Sequence, residues 1–205
     1  MIQRLEDAQN YPPRFANASF DIVAIASSAG GLTALTKLLS TLPKDFSAAI
    51  AVVQHLAPQY PSVMPEILAR HTALEVKHAE EGDCLTPGTV YIAPPDYHLL
   101  VNSNGTLSLS QSKRIHFVRP SADVLFASVA ACYKDRAIAI VLTGMGRDGA
   151  TGVEAIHKMG GTVISQDTNS SEFSGMPNAT INTGDVDFIL PLDEISTTLV
   201  TLVMG

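Results

Sequence analysis

Short apolar runs alternate with amphipathic stretches along most of the chain. Asp21 to Ala26 (DIVAIA) and Ala48 to Val53 (AAIAVV) have strand length and unbroken apolar interiors. Between them, after Gly30-Gly31, the residues Leu32, Leu35, Leu38 and Leu39 recur at helical spacing. Val63, Ile67 and Leu68 mark a second helix over Ser62 to His71. Continuous apolar runs flanked by helices indicate strands covered on both faces, and therefore a mostly parallel α/β sheet.

The middle of the chain breaks this rhythm. Gly88 to Ala93 (GTVYIA), His98 to Val101 (HLLV) and Thr106 to Leu109 (TLSL) read as short strands separated by turn signals. Asn104-Gly105 is the strongest of those signals, because both residues tolerate positive φ. Together they predict an antiparallel insertion. From Pro120 the βα rhythm returns: a helix to Tyr133, a strand Ala137 to Leu142, a helix Ala150 to Lys158 and a strand Thr162 to Gln166. A strand Val186 to Leu190 and a helix from Pro191-Leu192-Asp193 close the pattern. The expectation is one α/β domain over 21–205, a doubly wound, mostly parallel sheet with an antiparallel hairpin insertion. Residues 1–20 read as a loosely held N-terminal arm.

Composition narrows the function classes. With 205 residues, 46% hydrophobic and 16% charged, the chain can bury a sizeable core. Thirteen Lys and Arg against 20 Asp and Glu give a net charge of −7, so unassisted binding to nucleic acid or to an anionic membrane surface is not expected. Trp is absent, which weakens a stacking platform for single strands. No apolar run approaches the roughly 18–20 residues of a membrane helix. Met1 to Phe20 carries Arg4, Glu6, Asp7, Pro12 and Pro13, and does not read as a secretory signal. Cys84 and Cys132 are too few for a disulfide framework and read as free thiols in a reducing cytoplasm. His71, His78, His116 and His157 lack metal-ligand spacing and read as solvated; His98 reads as a surface or packing residue, with a place at the border of the cleft as the alternative. Glu80-Glu81-Asp83 reads as a solvated acidic turn, and Asp123 as a helix cap or first-turn helix charge. No metal and no cofactor is expected.

Three strand ends carry candidate chemistry, where helix N-termini and loops converge in a parallel sheet. At Ala26-Ser27-Ser28-Ala29-Gly30-Gly31 a serine precedes a glycine turn. Ser28 there is either a nucleophile, with nearby N–H groups of Ala29 and Gly30 for an oxyanion, or part of a helix cap or phosphate loop. Gln54-His55 ends the second strand, where His55 is either a general base or a residue that merely closes the strand. Thr143-Gly144-Met145-Gly146-Arg147-Asp148-Gly149 contains a literal G-x-G-x-x-G, with Asp167 placed 18 residues beyond Gly149. It reads as a dinucleotide loop, as a carboxylate for catalysis, or as a structural cap. Asp148 weighs against the first, because it would repel a pyrophosphate. Taken together, Ser28, His55 and Asp148 would bring nucleophile, base and orienting carboxylate to one sheet edge. Their order differs from the Ser, Asp, His of α/β-hydrolases.

These residues resemble the catalytic domain of chemotaxis protein-glutamate methylesterases of the CheB type. The resemblance runs from Phe20 to Leu199. It rests on Ser28-Ala29-Gly30-Gly31, Val53-Gln54-His55, Gly88 to Pro95 (GTVYIAPP), Arg119-Pro120-Ser121-Ala122-Asp123, Leu142 to Gly149 (LTGMGRDG) and Gly175-Met176-Pro177. It implies a doubly wound parallel sheet and a triad of Ser28 as nucleophile, His55 as base and Asp148 as orienting carboxylate. Met145 matches a position that helps form the oxyanion site. The implied substrate is a methylated chemoreceptor, whose glutamate methyl esters are hydrolysed with release of methanol; glutamine deamidation is a further family activity. The chain departs from the family at Ala26 and Val118, where glycine and histidine are usual. Twenty residues before the domain cannot hold the phospho-receiver domain of the family's best-known members, so the sequence reads either as a domain cut from a longer protein or as a free-standing esterase, with a regulator domain on another chain as one option. Two other readings stay open: a dinucleotide-dependent oxidoreductase using Gly144 to Gly149, and a non-catalytic signalling module.

Overall fold

The structure is a computed structural model, and it describes residues 12, 14–16, 18–55 and 62–205. Most of the expected arm, 1–20, therefore lies outside the described residues. The chain forms β1 (Ile22–Ser27), α1 (Gly31–Ser40), β2 (Ala49–Gln54), α2 (Met64–Ala69), β3 (Glu75–His78), β4 (Thr89–Ile92), β5 (His98–Val101) and β6 (Leu107–Ser110). It continues with α3 (Ala122–Tyr133), β7 (Ala137–Val141), α4 (Ala150–Lys158), β8 (Thr162–Gln166), α5 (Gly175–Ile181), β9 (Phe188–Leu190) and α6 (Leu192–Met204).

Seven strands form one sheet in the order β3-β4-β2-β1-β7-β8-β9, and every pairing is parallel. The chain winds outward from β1 through β2 to β4, then returns to place β7 on the other side of β1. The winding direction thus reverses at β1 and β7, and a crevice opens beyond their carboxyl ends.

The central strands alternate in size as well as in direction. Ala24 and Ala26 of β1, Ala49 and Ala51 of β2, and Ala137 and Ala139 of β7 point to one face. Their small side chains let α3 lie close, and Phe126 and Tyr133 fill the space above them. Ile25, Ile50, Val52, Ile138 and Ile140 point to the other face, against Leu35, Leu38 and Leu39 of α1 and Ile195 and Leu199 of α6. Residues buried on both faces explain the unbroken apolar runs in the sequence.

The antiparallel part is smaller than expected. Among the strands of the described residues, only β5 and β6 pair antiparallel, across the Asn102 to Thr106 turn in which Gly105 has φ 80°. The GTVYIA segment belongs instead to the parallel sheet, with Val90 beside Ile50 and Val76. Its side chains are buried on both sides, a position that an isolated hairpin cannot offer. Among the described residues, no helix is long and apolar enough to cross a membrane.

Candidate active site

Ser28 and His55 are the first residues past the paired ends of β1 and β2. Ser27 stands opposite Gln54 in the register, and the His55 N–H donates to the Ser27 carbonyl at 3.1 Å. The two adjacent serines are in different surroundings. Ser27 is fully buried, and its hydroxyl donates to Gln54 Oε1 at 2.6 Å. Ser28 is partly exposed at the crevice.

Gln54 holds this strand edge together. Its Nε2 donates to the Ser28 carbonyl at 2.7 Å and to the His55 carbonyl at 3.1 Å. A side chain on Gly31 would collide with this staple, since a Cβ there would lie 2.0 Å from Gln54 Oε1. Gly31 is glycine because the amide needs that space.

Asp148 lies 3% exposed after β7, and its carboxylate is fully engaged. Oδ2 contacts His55 Nε2 at 2.8 Å and accepts the Ala122 N–H at 2.6 Å. Oδ1 accepts the Ser121 hydroxyl at 2.7 Å and the Asp123 N–H at 3.3 Å. Burial pushes the carboxyl up, but the His55, Ser121 and Ala122 hydrogen bonds outweigh it, and Asp148 titrates below the usual carboxylate range. An ionised Asp148 only accepts, so His55 Nε2 carries the proton it donates, and Nδ1 keeps the free lone pair. Among the described residues, no hydrogen bond joins Ser28 Oγ to the ring.

Buried His98 stands behind this arrangement. It accepts the Ser121 N–H at Nδ1 (3.1 Å), while its Nε2 faces the Lys113 carbonyl at 3.2 Å. Burial lowers its pKa, in keeping with a neutral ring that accepts at one nitrogen and donates at the other. His98 is thus a packing residue, but one that fixes the start of α3 under Asp148.

His55 and Asp148 line a cleft of about 280 Å³ with His116, Phe117, Val118, Met145, Gly146 and Arg147. Met145 is exposed at its rim. Among the described residues, the backbone N–H groups of Ala29, Gly30 and Met145 donate no hydrogen bond. The N–H of Ser28 is not open, since it donates to the Thr143 carbonyl at 3.1 Å.

The dinucleotide reading of Gly144 to Gly149 meets a physical obstacle. The N–H groups of Gly149 and Gly152, at the start of α4, already donate to Asp123 Oδ1 at 3.0 and 2.8 Å. The Gly144 N–H donates to the Phe173 carbonyl at 2.9 Å. These are donors that a pyrophosphate would need. Asp167 is also committed, accepting the N–H and hydroxyl of Ser170.

Sequence reasoning passed over several of these residues. Asp123 does cap a helix, but the helix is α4 rather than its own. His116 is not simply solvated: it borders the cleft, with Nε2 3.7 Å from Asp123 Oδ2. Ser121 before a helix signals a cap, yet its hydroxyl reaches Asp148 rather than its own helix. Among the described residues, no cluster of three or more His, Cys, Asp and Glu could hold a metal ion.

Fold and site together define a doubly wound α/β domain with serine, histidine and buried aspartate at the crevice where the winding reverses. Residues 23–199 match the CheB methylesterase family model, and the chain belongs to that family. The crystal structure of the Thermotoga maritima CheB methylesterase catalytic domain superposes with a TM-score of 0.86 at 40% identity, covering 89% of this chain and 98% of that one. The protein-glutamate methylesterase/protein-glutamine glutaminase of Pyrococcus horikoshii is 41% identical over 184 residues, 88% of this chain and 50% of its own length. The protein-glutamate methylesterase/protein-glutamine glutaminase 2 of Methanosarcina mazei is 42% identical over 190 residues, 89% of this chain and 52% of its own. This chain thus spans about half the length of these curated relatives. A Leptospira interrogans protein is 37% identical over 184 residues, 90% of this chain and 95% of its own.

Proposed function

We propose that the chain is a protein-glutamate methylesterase acting on methylated chemoreceptors at the cytoplasmic side of a membrane. Family membership supports the reaction class. The observation that carries the residue assignment is the 2.8 Å contact between His55 Nε2 and buried, ionised Asp148. It leaves Nδ1 as a base at the strand end beside Ser28.

Ser28 Oγ attacks the ester carbonyl while His55 Nδ1 takes its proton. Such nucleophile–base contacts tighten when substrate binds. The ring becomes positive and Asp148 stabilises it. The N–H groups of Ala29, Gly30 and Met145, which donate no hydrogen bond among the described residues, would stabilise the developing oxyanion. The imidazolium then protonates the departing methoxide, and methanol leaves. Water, deprotonated by the same nitrogen, attacks the acyl-enzyme and releases a glutamate carboxylate and free Ser28. The same steps, with ammonia leaving, would deamidate glutamine.

The test is methanol release from a methylated receptor fragment. Release by the wild-type protein is expected, and its absence at protein concentrations equal to substrate would overturn the reading.

A further inference from the structure

The segment between β6 and α3 is clamped at its base and free at its tip. Arg119 Nη1 donates to the carbonyls of Gln111 and Ser112, each at 2.8 Å. Its Nε and Nη2 donate to Asp96 Oδ1 at 3.1 and 2.7 Å. His98 holds the Lys113 carbonyl. Beyond this clamp, Ile115 and Val118 exchange backbone hydrogen bonds of 3.2 and 2.9 Å and close a turn over His116-Phe117.

Both turn residues have positive φ, 47° at His116 and 68° at Phe117. Glycine and asparagine adopt that pair of angles easily, whereas a bulky aromatic does so against steric resistance. The result of this conformation is an aromatic ring 95% exposed at the rim of the cleft that holds His55 and Asp148. Met145, 64% exposed, stands on the same rim. Arg147 lines it too, exposed, and among the described residues its guanidinium makes no ion pair or hydrogen bond. An exposed cation on the same rim as an exposed apolar ring is notable in a chain of net charge −7.

We infer that the 115–118 turn is a docking finger for the protein substrate, with Phe117 receiving an apolar side chain near the esterified glutamate and Arg147 an acidic one. The inference rests on the methylesterase reading. It follows from the finger's continuity with the cleft, its exposed ring and the charge beside it. A cleft of this size admits the ester side chain, and the finger supplies contact that a small ester cannot use.

The experiment compares kinetics on a methylated receptor fragment with kinetics on N-acetylglutamate γ-methyl ester. Phe117→Ala should raise KM for the protein about tenfold, with a smaller change in kcat, and lower the protein-to-small-ester ratio of kcat/KM by a similar factor. Combining His116→Asn with Phe117→Gly relaxes the turn but removes the ring, and should raise KM equally. Phe117→Leu should recover most of the loss. Arg147→Ser should raise KM for the protein and flatten its dependence on salt. Equal losses on both esters, or an unchanged KM for the protein, would overturn the inference. So would a wild-type dimer that Phe117→Ala dissociates, which would assign the ring to a second copy of the chain. Wild-type protein that releases no methanol from the receptor fragment overturns the underlying reading as well, whereas normal wild-type turnover shared by Phe117→Ala overturns the finger alone.

Discussion

Asp148 and Asp123 cap each other's helices. Asp148, just before α4, accepts the N–H groups of Ala122 and Asp123 at the start of α3, while Asp123 accepts those of Gly149 and Gly152 at the start of α4. Each carboxylate sits where a helix N-terminus favours negative charge. The exchange locks two helices, and it holds Asp148 against His55 without a dedicated loop.

The two carboxyls titrate in opposite directions, which gives a prediction for stability. Burial, together with the nearby Asp148, holds the Asp123 carboxyl above its ordinary value, and its Oδ2 has no hydrogen-bond partner. The folded state thus holds the Asp123 proton more tightly than the unfolded chain. The wild type should lose stability as pH rises from the unfolded value of about 3.9 through the folded one. Asp123→Asn lacks that loss and should gain on the wild type over this window, with the difference level above it. Urea unfolding from pH 3.5 to 7.5 measures the stability of Asp123→Asn minus that of the wild type, and a difference that falls as pH rises would contradict the assignment.

Asp148→Asn tests the other partner. Because the folded Asp148 carboxyl is depressed, its stabilising contribution is present above about pH 3.9 and fades as pH falls through the folded value. The variant should therefore be least stable relative to wild type at neutral pH. Its turnover should fall by on the order of 10³–10⁴, since an amide cannot support a positive ring. Initial methanol-release rates and circular dichroism together separate lost chemistry from lost fold.

The site was legible in sequence where glycine turns follow apolar runs, as at Ser28 and at Asp148. It was not legible where contacts close only in three dimensions. Ser121, Asp123 and His98 act on partners 23 to 29 residues away, and no local pattern announces those distances. The fold shows the same division. Strands buried on both faces, such as β1 and β7, stand out as apolar runs. The edge strand Glu75–His78 does not, because EVKH has one apolar residue in four and its side chains are exposed or half-buried. Thr89–Ile92 was seen as a strand but given the wrong partners, since pairing direction depends on crossovers elsewhere in the chain.

Ser27 and Ser28 should separate cleanly. Ser27→Ala removes the donor to Gln54 Oε1 and leaves a buried amide oxygen unpaired, which costs about 1–3 kcal/mol of stability. Its turnover should fall modestly, through the loosened Gln54 staple. Ser28→Ala should keep wild-type stability within about 0.5 kcal/mol and lose turnover by several orders of magnitude. Urea unfolding and methanol release on both variants give the four numbers needed. Wild-type turnover in Ser28→Ala would remove the serine mechanism.

Gly144→Ala should damage stability and turnover together. A Cβ at Gly144 would lie 2.3 Å from Met176 Sδ and 2.9 Å from Ser28 Cβ. Met176 is fully buried, so the strain is relieved only by moving it or the Ser28 turn. Overpacking of this kind costs about 1–3 kcal/mol. Displacing the Ser28 backbone by a few tenths of an ångström also misaims the hydroxyl, and turnover should drop about tenfold or more. Gly82→Ala is the control. Gly82 has φ 84° with open space around its Cβ position, so alanine there strains the backbone without touching the cleft. It should lose about 1–2 kcal/mol and keep its turnover. Thermal unfolding and initial methanol-release rates on both variants decide the matter: equal turnover would mean that Gly144 serves the fold alone, whereas a loss confined to Gly144→Ala ties the close approach of β7 and the Ser28 turn to catalysis.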